Sequence, residues 1–436
     1  MSLKLGTSGV RGTYTELTPQ TAAALSEAFS TYVDSGEIAV ATDTRPSNNY
    51  LKHSVLSGLI ATGARVDDCD ILPTPILQWM IRRFGYDGGV AISGGHASFD
   101  RNSLIFLNRV GGYLSPYETE EFFNLFHSNV YARKRFDQLG TSYSSSDKLG
   151  SYFEAITSSQ KETTKPLRFV IDCSNGSTGR ILTQLSGSLK IDFIPLFCDT
   201  DVVSRREPEP NRSNADILST VVKETGCDGG FLLNSDASRV LMVDEKGRVL
   251  SEELTLPIFS RIILDGEKTD IVTTYSTSKT IDRIARNYGV RVFRTDVGPS
   301  AVVQTALEVK AGIGGEGSGS VVYTPFSYGY DAFLFMQKVI DFLRRESSTL
   351  SQLSDEFSQP QIHKTTIPLP ANEVYDSLEK IERLYSHTTR LRDGFYIDEG
   401  EDWLCIRASS TMAMIRVVGE GKSVSNEIER IKDSLR

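Results

Sequence analysis

The sequence predicts an α/β protein of three layered domains, followed by a smaller α+β domain. Up to residue 358, short apolar runs of strand length alternate with amphipathic segments of helix length, which is typical of strands connected through helices. After Gln359 and Pro360 the pattern changes to clustered short strands with a helical segment at either end. A length of 436 residues accommodates about three domains of ~150 residues.

The first predicted domain covers residues 1–145. A helix is expected after Thr18, because Pro19 occupies the favoured first helical position and an apolar stripe follows it (Ala22, Leu25, Phe29 and Tyr32). Strands are predicted at residues 38–42, at residues 66–71 and in the run that ends at Ile92.

The second predicted domain, residues 146–248, follows a polar, serine-rich stretch. Its first strand is expected at residues 168–172 and its last at residues 231–233. The third domain, residues 249–358, is predicted to contain a helix from about Ser251, a strand at residues 271–275 and helices from Ser278 and Asp331. All three share a plan of strand, small-residue loop and helix, which indicates related domains in tandem without a strict sequence repeat.

The fourth domain, residues 359–436, is predicted to be the α+β module. A strand is expected near Thr365, a helix from Ala371 and short strands around Phe395 and Trp403. A helix at the end of the chain completes it.

Charge and hydropathy exclude several classes of protein. The formal net charge of -9 argues against a general binder of nucleic acid or membrane surfaces, which needs a basic face. No apolar run approaches the ~20 residues that span a bilayer, and the first residues lack the apolar core of a signal peptide. We therefore expect a cytoplasmic protein. Arginines concentrated in a cleft can still bind an anionic small molecule.

The five cysteines are scattered without C-x-x-C spacing. This pattern predicts neither a disulfide framework nor a zinc site. We expect them to be small buried hydrophobic residues. They are Cys69, Cys173, Cys198, Cys227 and Cys405.

A glycine-rich loop around His96 is the first candidate site. The apolar run that ends at Ile92 breaks into Gly94-Gly95-His96, and a second apolar run follows. Glycines at a strand end allow tight turns and close approach of a ligand. The alternative is an ordinary turn with a solvated histidine.

Four further stretches also place functional side chains in loops. Arg11 lies between Gly9 and Gly12, in a loop that allows its guanidinium to face a ligand. The alternative interpretation is a solvated surface arginine. The other three are the polar loop of residues 234–239, the glycine-rich loop of residues 314–319 and the run from Ile406 to Val417.

Together with GTSGVRG, DTRPS, PTP, DCSNG and EPEPN, these loops resemble the α-D-phosphohexomutase family, which includes phosphoglucomutase and phosphomannomutase. The likeness covers nearly the whole chain. It implies three related α/β domains and a smaller C-terminal domain around a central cleft. It also implies magnesium and a phosphoserine that donates its phosphoryl group to a hexose monophosphate, a reaction that depends mainly on positioning and on cations.

The resemblance places Gly95, His96, Arg11 and Arg239 at catalytic positions. The family pattern T-A-S-H-N-P aligns with residues 93–98, so the phosphoserine position is Gly95. Glycine has no side-chain oxygen, and the covalent step of the family cannot occur there. The lysine of this family loop falls on Ile105.

The loop that aligns with the metal-binding loop of the family has also lost functional groups. The family pattern D-G-D-x-D-R aligns with residues 234–239, where only Asp236 keeps a carboxylate and Asn234 and Ser238 replace the other two. An amide and a hydroxyl do not supply the negative charge that a hard cation needs. The resemblance therefore implies magnesium, whereas the residues argue against it. Asp236 has the alternative role of capping a turn.

The substrate loops are better preserved. Glu316 and Ser318 match the sugar-binding positions, although Ser320 replaces the final histidine; the alternative is a plain polar turn. The positions that match the phosphate-binding pattern keep side chains that can donate hydrogen bonds to a phosphate. The alternative interpretation is that the arginine only forms a surface salt bridge. These donors are Arg407, Ser409, Thr411 and Arg416.

The leading hypothesis is a phosphohexomutase-fold protein that binds hexose or hexosamine phosphates but has lost the phosphoserine and magnesium chemistry. One alternative is an active intramolecular phosphotransferase with a displaced nucleophile, Ser93 or Ser98. Another is a non-catalytic regulator or partner of an active paralogue. The sequence leaves open whether the protein is an enzyme and whether it is a homo-oligomer.

Overall fold

The computed structural model describes residues 4–6, 9–145, 147–158, 166–202, 204, 206–409 and 413–435. Within these residues, four β-sheets follow one another along the chain, and helices cover them. Three of the sheets combine parallel and antiparallel pairs, and the fourth is antiparallel throughout. This architecture confirms the predicted fold class.

The first sheet contains the strands β1 (Lys4–Gly6), β2 (Gly9–Thr13), β3 (Glu37–Thr42), β4 (Arg65–Ile71), β5 (Gly88–Ile92), β6 (Arg101–Asn108) and β7 (Thr141–Tyr143). Their order is β1-β2-β6-β5-β3-β4-β7. Strand β5 is therefore central and fully buried. The loop around His96 leaves the end of this strand and returns into β6, which is antiparallel to β5.

The helices that cover this sheet are α1 (Pro19–Tyr32), α2 (Asn48–Ala61), α3 (Thr74–Phe84) and α4 (Pro116–Ser128). Thr18 caps α1 as expected, since its hydroxyl accepts a hydrogen bond from the Thr21 amide at 3.2 Å. Phe29 on α1 packs against Phe106 and Phe122, with ring centroids 4.9 and 5.8 Å away. The predicted apolar stripe thus anchors the helix on the sheet.

The second sheet contains β8 (Arg168–Asp172), β9 (Asp192–Leu196), β10 (Gly229–Leu233) and β11 (Val240–Asp244) in the order β11-β10-β8-β9. Its helices are α5 (Lys148–Thr157), α6 (Thr178–Leu189) and α7 (Asp216–Thr225). The expectation that residues 231–233 form the last strand was wrong. The loop of residues 234–239 reverses the chain, with Ala237 at φ 57°, and β11 pairs antiparallel with β10.

The third sheet contains β12 (Ile271–Thr274), β13 (Val292–Thr295), β14 (Ile313–Glu316) and β15 (Ser320–Tyr323) in the order β13-β12-β14-β15. Its helices are α8 (Thr255–Leu264), α9 (Thr280–Tyr288), α10 (Pro299–Glu308), α11 (Ala332–Arg345) and α12 (Leu350–Asp355). Three parallel strands and one antiparallel edge strand repeat the plan of the second sheet. This repetition confirms that these two units are related.

The C-terminal sheet contains β16 (Ile362–Pro368), β17 (Thr389–Leu391), β18 (Gly394–Glu399), β19 (Asp402–Ala408) and β20 (Met414–Glu420) in the order β16-β20-β19-β18-β17. Helices α13 (Val374–Glu382) and α14 (Val424–Ser434) pack on it.

The helices of the first three units share one continuous core. Tyr152 on α5 donates a hydrogen bond to Asp331, at the start of α11, at 2.8 Å. Its ring also lies 5.6 Å from that of Trp79 on α3. These contacts join three units around buried aromatic rings. In the described part of the chain, no helix combines the length and apolarity needed to cross a membrane.

Candidate functional site

Loops from all four units meet at one cleft. They follow β5, β10, β14 and β19, and they surround a cavity of about 450 Å³. The predicted site residues that line it are Arg11, Gly95, His96, Asp236, Ser238, Arg239, Glu316, Arg407 and Arg416. Side chains that are far apart in the sequence therefore share one space.

The remaining predicted residues lie around this cavity. Asn234 is buried beneath Asp236, and Ser318 lines an adjoining cavity of about 250 Å³ that also contacts Glu316 and Arg407. The Ser409 amide donates to the carbonyl of Met414 at 2.9 Å, which closes the turn after β19. Thr411, with Ser410 and Met412, lies outside the described residues.

Arg45 holds the loop around Gly95 in place. Its side chain is fully buried and forms an ion pair with Asp43 at 3.2 Å. The guanidinium also donates to four carbonyl oxygens of the loop, those of Gly95 (3.3 Å), Ala97 (2.7 Å), Ser98 (2.6 Å) and Arg101 (3.0 Å). Buried, charge-assisted hydrogen bonds of this kind fix the backbone. Sequence reasoning assigned no role to this arginine; the available signal was its place in DTRPS, directly after a buried strand.

Gly95 faces the loop of residues 234–239. Its φ is +57°, in the left-handed region, where a side chain costs roughly 1–2 kcal/mol. A Cβ at this position would lie 3.4 Å from Asp236 Oδ2 and 3.7 Å from Asn234 Nδ2, both ordinary contact distances. There is therefore space for a serine side chain at this position, but Gly95 supplies no hydroxyl.

Asp236 is the centre of a hydrogen-bond cluster. Its Oδ1 accepts from Asn234 Nδ2 at 2.8 Å, and from the hydroxyl and the amide of Ser238 at 2.7 and 3.1 Å. Its Oδ2 accepts from the hydroxyls of Thr74 and Ser93 at 3.3 and 3.4 Å. Because Asn234 Oδ1 accepts from the Arg239 amide, the amide group of Asn234 turns its NH₂ toward Asp236. Asp236 thus caps its own turn and also connects it to the first unit.

The cleft carries an excess of positive charge. Five arginines and two carboxylates line the main cavity. Burial and then Arg239 and Arg11 lower the pKa of His96 well below its ordinary value. Burial, together with Arg407 and Arg239, also lowers the pKa of Arg416. Burial disfavours any charge, but the arginine contributions to both shifts indicate a positive potential in the cleft, which favours an anion.

Two of these arginines have acidic neighbours at the edge of the cleft. Arg239 contacts Glu209 at 2.6 Å, and Arg407 contacts Asp393 at 3.2 Å. These ion pairs hold the guanidinium groups in position beside the cavity. Arg407 therefore does form a salt bridge, as the alternative interpretation expected, but it also lines the cavity.

Glu316 and Ser318 add polar groups to the lining of the cleft. Glu316 is buried at the end of β14, and its Oε1 accepts from the Tyr330 hydroxyl at 2.7 Å. The Ser318 hydroxyl is buried, and among the described residues it has no hydrogen-bond partner. A buried hydroxyl of this kind is suited to pair with a hydroxyl of a ligand.

Sequence comparison identifies the family. Residues 2–132, 150–247 and 254–360 match the alpha/beta/alpha domains I, II and III of phosphoglucomutase/phosphomannomutase, respectively. The chain belongs to the α-D-phosphohexomutase family. A phosphoglucomutase/phosphomannomutase of Thermococcus kodakarensis is 30% identical to it over 449 residues, with 100% of this chain and 98% of that protein covered.

Other relatives and structures extend the likeness. A phosphoglucosamine mutase of Clostridium beijerinckii is 26% identical, with 100% of this chain and 98% of that protein covered. The crystal structure of a phosphoglucomutase/phosphomannomutase family protein from Burkholderia thailandensis superimposes with a TM-score of 0.83 at 22% identity, covering 99% and 97% of the two chains. The phosphohexomutase fold therefore extends over the whole chain.

The family is generally magnesium-dependent, but the loop of residues 234–239 in this phosphohexomutase does not fit the ion. Magnesium takes about six oxygen ligands in octahedral geometry, usually with one or two carboxylates. Here both oxygens of Asp236 accept hydrogen bonds from protein groups, and Asn234 turns toward Asp236 its NH₂, which cannot ligate a cation. In the part of the chain that is described, no group of three acidic, histidine or cysteine side chains could hold a metal ion.

Two further residues of this phosphohexomutase were not foreseen. Tyr113 and Arg101 both line the cavity. Burial and then Asp236 raise the pKa of Tyr113, so its hydroxyl stays neutral and can donate. Arg101 lies in the stretch around His96 but was given no role there, and Tyr113 belongs to no motif singled out in the sequence.

Proposed function

We propose that this phosphohexomutase binds hexose or hexosamine monophosphates in the cleft and has lost the phosphoserine and magnesium chemistry of its family. The observation that carries the proposal is the cavity of about 450 Å³ with five arginines beside the buried Glu316. Guanidinium groups bind phosphate through paired, charge-assisted hydrogen bonds. The names of the relatives, which include mutases of hexose and hexosamine phosphates, support this class of ligand.

The charged groups suggest an orientation for the ligand. We infer that the phosphate contacts Arg407 and Arg416, and that sugar hydroxyls pair with Glu316 and Ser318. A carboxylate accepts from sugar hydroxyls, and the serine hydroxyl can donate or accept. Arg11 then lies in the same cavity, where it can neutralise negative charge on the opposite side of the sugar.

Two features support the loss of phosphoryl transfer. Gly95 offers no oxygen to carry a phosphoryl group, and the cluster around Asp236 uses protein donors where the family needs a cation. Phosphoryl transfer depends on a positioned nucleophile and on positive charge at the transferred oxygens. Binding groups are therefore retained, whereas the groups that make and break bonds are not.

One specific observation favours an active mutase as the second candidate. The Ser93 hydroxyl lines the cavity and donates to Asp43 at 2.8 Å, the arrangement of a nucleophile with a neighbouring base. However, Asp43 is already paired with Arg45, and the Ser93 hydroxyl also accepts from the Gly95 amide at 2.9 Å. Ser98 lies on the same loop, with its hydroxyl bonded to Asp100.

Binding is tested by thermal shift and calorimetry with glucose 1-phosphate, glucose 6-phosphate, mannose 6-phosphate and glucosamine 6-phosphate. Glucose and inorganic phosphate serve as controls. At a ligand concentration 100 times Kd, binding stabilises the folded state by about 2.7 kcal/mol. We expect a rise in Tm with at least one sugar phosphate, equal with and without magnesium. No shift with any of them would contradict the binding proposal.

The two candidates are separated by a coupled mutase assay with a hexose 1,6-bisphosphate present. We expect no interconversion of 1- and 6-phosphates. Magnesium-dependent turnover that disappears in Ser93→Ala or in Ser98→Ala would establish the second candidate, and the variant that loses it would identify the nucleophile.

A further inference from the structure

Two thiols lie next to each other in the second unit. The Sγ atoms of Cys173 and Cys198 are 2.7 Å apart, although 25 residues separate them in the chain. Cys173 directly follows β8, and Cys198 lies two residues beyond the end of β9. These strands are parallel neighbours, and the Cys173 amide donates to the carbonyl of Leu196 at 3.0 Å. The strand order thus places both cysteines at one edge of the sheet.

We propose that Cys173 and Cys198 are a redox modification site that forms an intramolecular disulfide with a peroxide as oxidant. Neighbouring strands lie ~4.8 Å apart, within the Cα separation of ~4.4–6.8 Å that a disulfide spans. The present sulfur separation is close to the bond length of ~2.05 Å, so closure needs a small rotation of the side chains. The other three cysteines have no such sulfur neighbour among the described residues.

The order of reaction follows from exposure. Cys198 is partly exposed, whereas Cys173 is buried, and this burial raises the pKa of the Cys173 thiol. The Cys198 thiolate therefore attacks the peroxide oxygen, which breaks the O–O bond and yields a sulfenic acid and hydroxide. The sulfur of Cys173 then attacks the sulfenic sulfur, the S–S bond forms, and its proton leaves with the hydroxyl group as water. Overall, two thiols lose two electrons and two protons, and hydrogen peroxide becomes two waters.

The disulfide would anchor a loop that connects two units. The loop of residues 173–179 contacts the first unit through Thr44, whose hydroxyl donates to the carbonyl of Asn175. It also contacts the loop of residues 234–239, because the Ser177 amide donates to the carbonyl of Ser235 at 2.8 Å. Closing a ring of about 25 residues restricts the unfolded chain, so the oxidised protein should be more stable.

The test uses the full-length, reduced protein treated with hydrogen peroxide and then alkylated and digested with trypsin. Cys173 lies in the peptide of residues 169–180, and Cys198 in the peptide of residues 191–205. We expect these two peptides to appear joined and two hydrogen atoms lighter than their sum. Of the five thiols, three should remain titratable after denaturation. The Tm should rise by roughly 3–4 °C and fall back when a reductant is added.

Cys69→Ser is the matched control, because Cys69 is also partly exposed but its Sγ contacts only the carbonyl of Asp67 in the described residues. This variant should form the joined peptide as the wild type does, whereas Cys198→Ser should not. The inference is overturned if peroxide leaves peptides 169–180 and 191–205 unjoined, whether their cysteines remain reduced or are oxidised separately. A disulfide that joins any other pair would also overturn it.

Discussion

Replacing Asp236 by asparagine should destabilise this phosphohexomutase, because the hydrogen bonds that the carboxylate accepts would lose its negative charge. Asp236 Oδ1 accepts three hydrogen bonds of 2.7 to 3.1 Å, and Oδ2 accepts two longer ones from the hydroxyls of Thr74 and Ser93. The asparagine will direct its NH₂ to the Oδ2 side, since these two hydroxyls can rotate and accept. The three bonds at Oδ1 then remain, but without the negative charge.

The magnitude follows from those three bonds. A hydrogen bond to a charged group contributes about 1.5–3 kcal/mol, and a neutral one about 0.5–1.5 kcal/mol. The loss is then about 1 kcal/mol for each bond. Asp236→Asn should therefore lower the free energy of unfolding by about 2–3 kcal/mol, which for a chain of 436 residues corresponds to a fall in Tm of roughly 2–3 °C.

Differential scanning calorimetry measures this change, and Asp376→Asn is the control, because Asp376 is exposed in the first turn of α13. The control should change the Tm by less than about 1 °C. We also expect magnesium to leave the Tm of the wild type unchanged. If Asp236→Asn behaves like the control, the proposed role of the cluster in stability is refuted. If magnesium stabilises the wild type but not the variant, Asp236 is a metal ligand, and that role is refuted as well.

Three further predictions concern binding and pH. Arg407→Ala should weaken sugar-phosphate binding by about 10–100-fold in calorimetry, since it removes a charged donor, whereas the exposed control Arg390→Ala should bind normally. Burial and then the nearby arginines lower the pKa of His96, whose Nε2 lies 3.8 Å from Glu209. Phosphate binding should raise this pKa, measured by NMR titration, because the anion offsets the arginines, and an unchanged pKa would place the phosphate elsewhere. Burial raises the pKa of Glu253 from its ordinary 4.5 to about 7, so the folded state holds a proton that the unfolded state has lost between these values. This contribution to stability is complete below pH 4.5 and is lost as the pH rises through 7. The Tm of Glu253→Gln should therefore fall less from pH 5 to pH 8 than the Tm of the wild type. An equal fall would contradict the assignment.

Much of the fold could be predicted because it depends on local patterns. The cap at Thr18, the buried run before Gly94 and the alternation of strands and helices are all readable in the sequence, and the helix and the strands lie where these patterns indicate. β11 was missed because the turn before it depends on hydrogen bonds within residues 234–239 rather than on a glycine or proline signal.

The site could be predicted only in part, because it is assembled from distant segments. The motifs located Arg11, Glu316 and Arg407, and DTRPS marks the position of Arg45, but only the fold shows that Arg45 holds the loop around Gly95. Likewise, the sequence shows Asp236 only as the single carboxylate of residues 234–239. The packing of two units brings the hydroxyls of Thr74 and Ser93 to it. The cysteines illustrate the same limit, since the spacing predicted separate buried thiols while the strand order makes two of them neighbours.

The most direct test of the central claim is to incubate the protein with magnesium and a hexose 1,6-bisphosphate, digest it with trypsin and analyse the peptide of residues 84–101 by mass spectrometry. This peptide contains Ser93, Gly95 and Ser98. We predict that it carries no phosphate, although the same bisphosphate raises the Tm of the intact protein. Stoichiometric phosphoserine at Ser93 or Ser98 would contradict the claim that phosphoryl transfer has been lost.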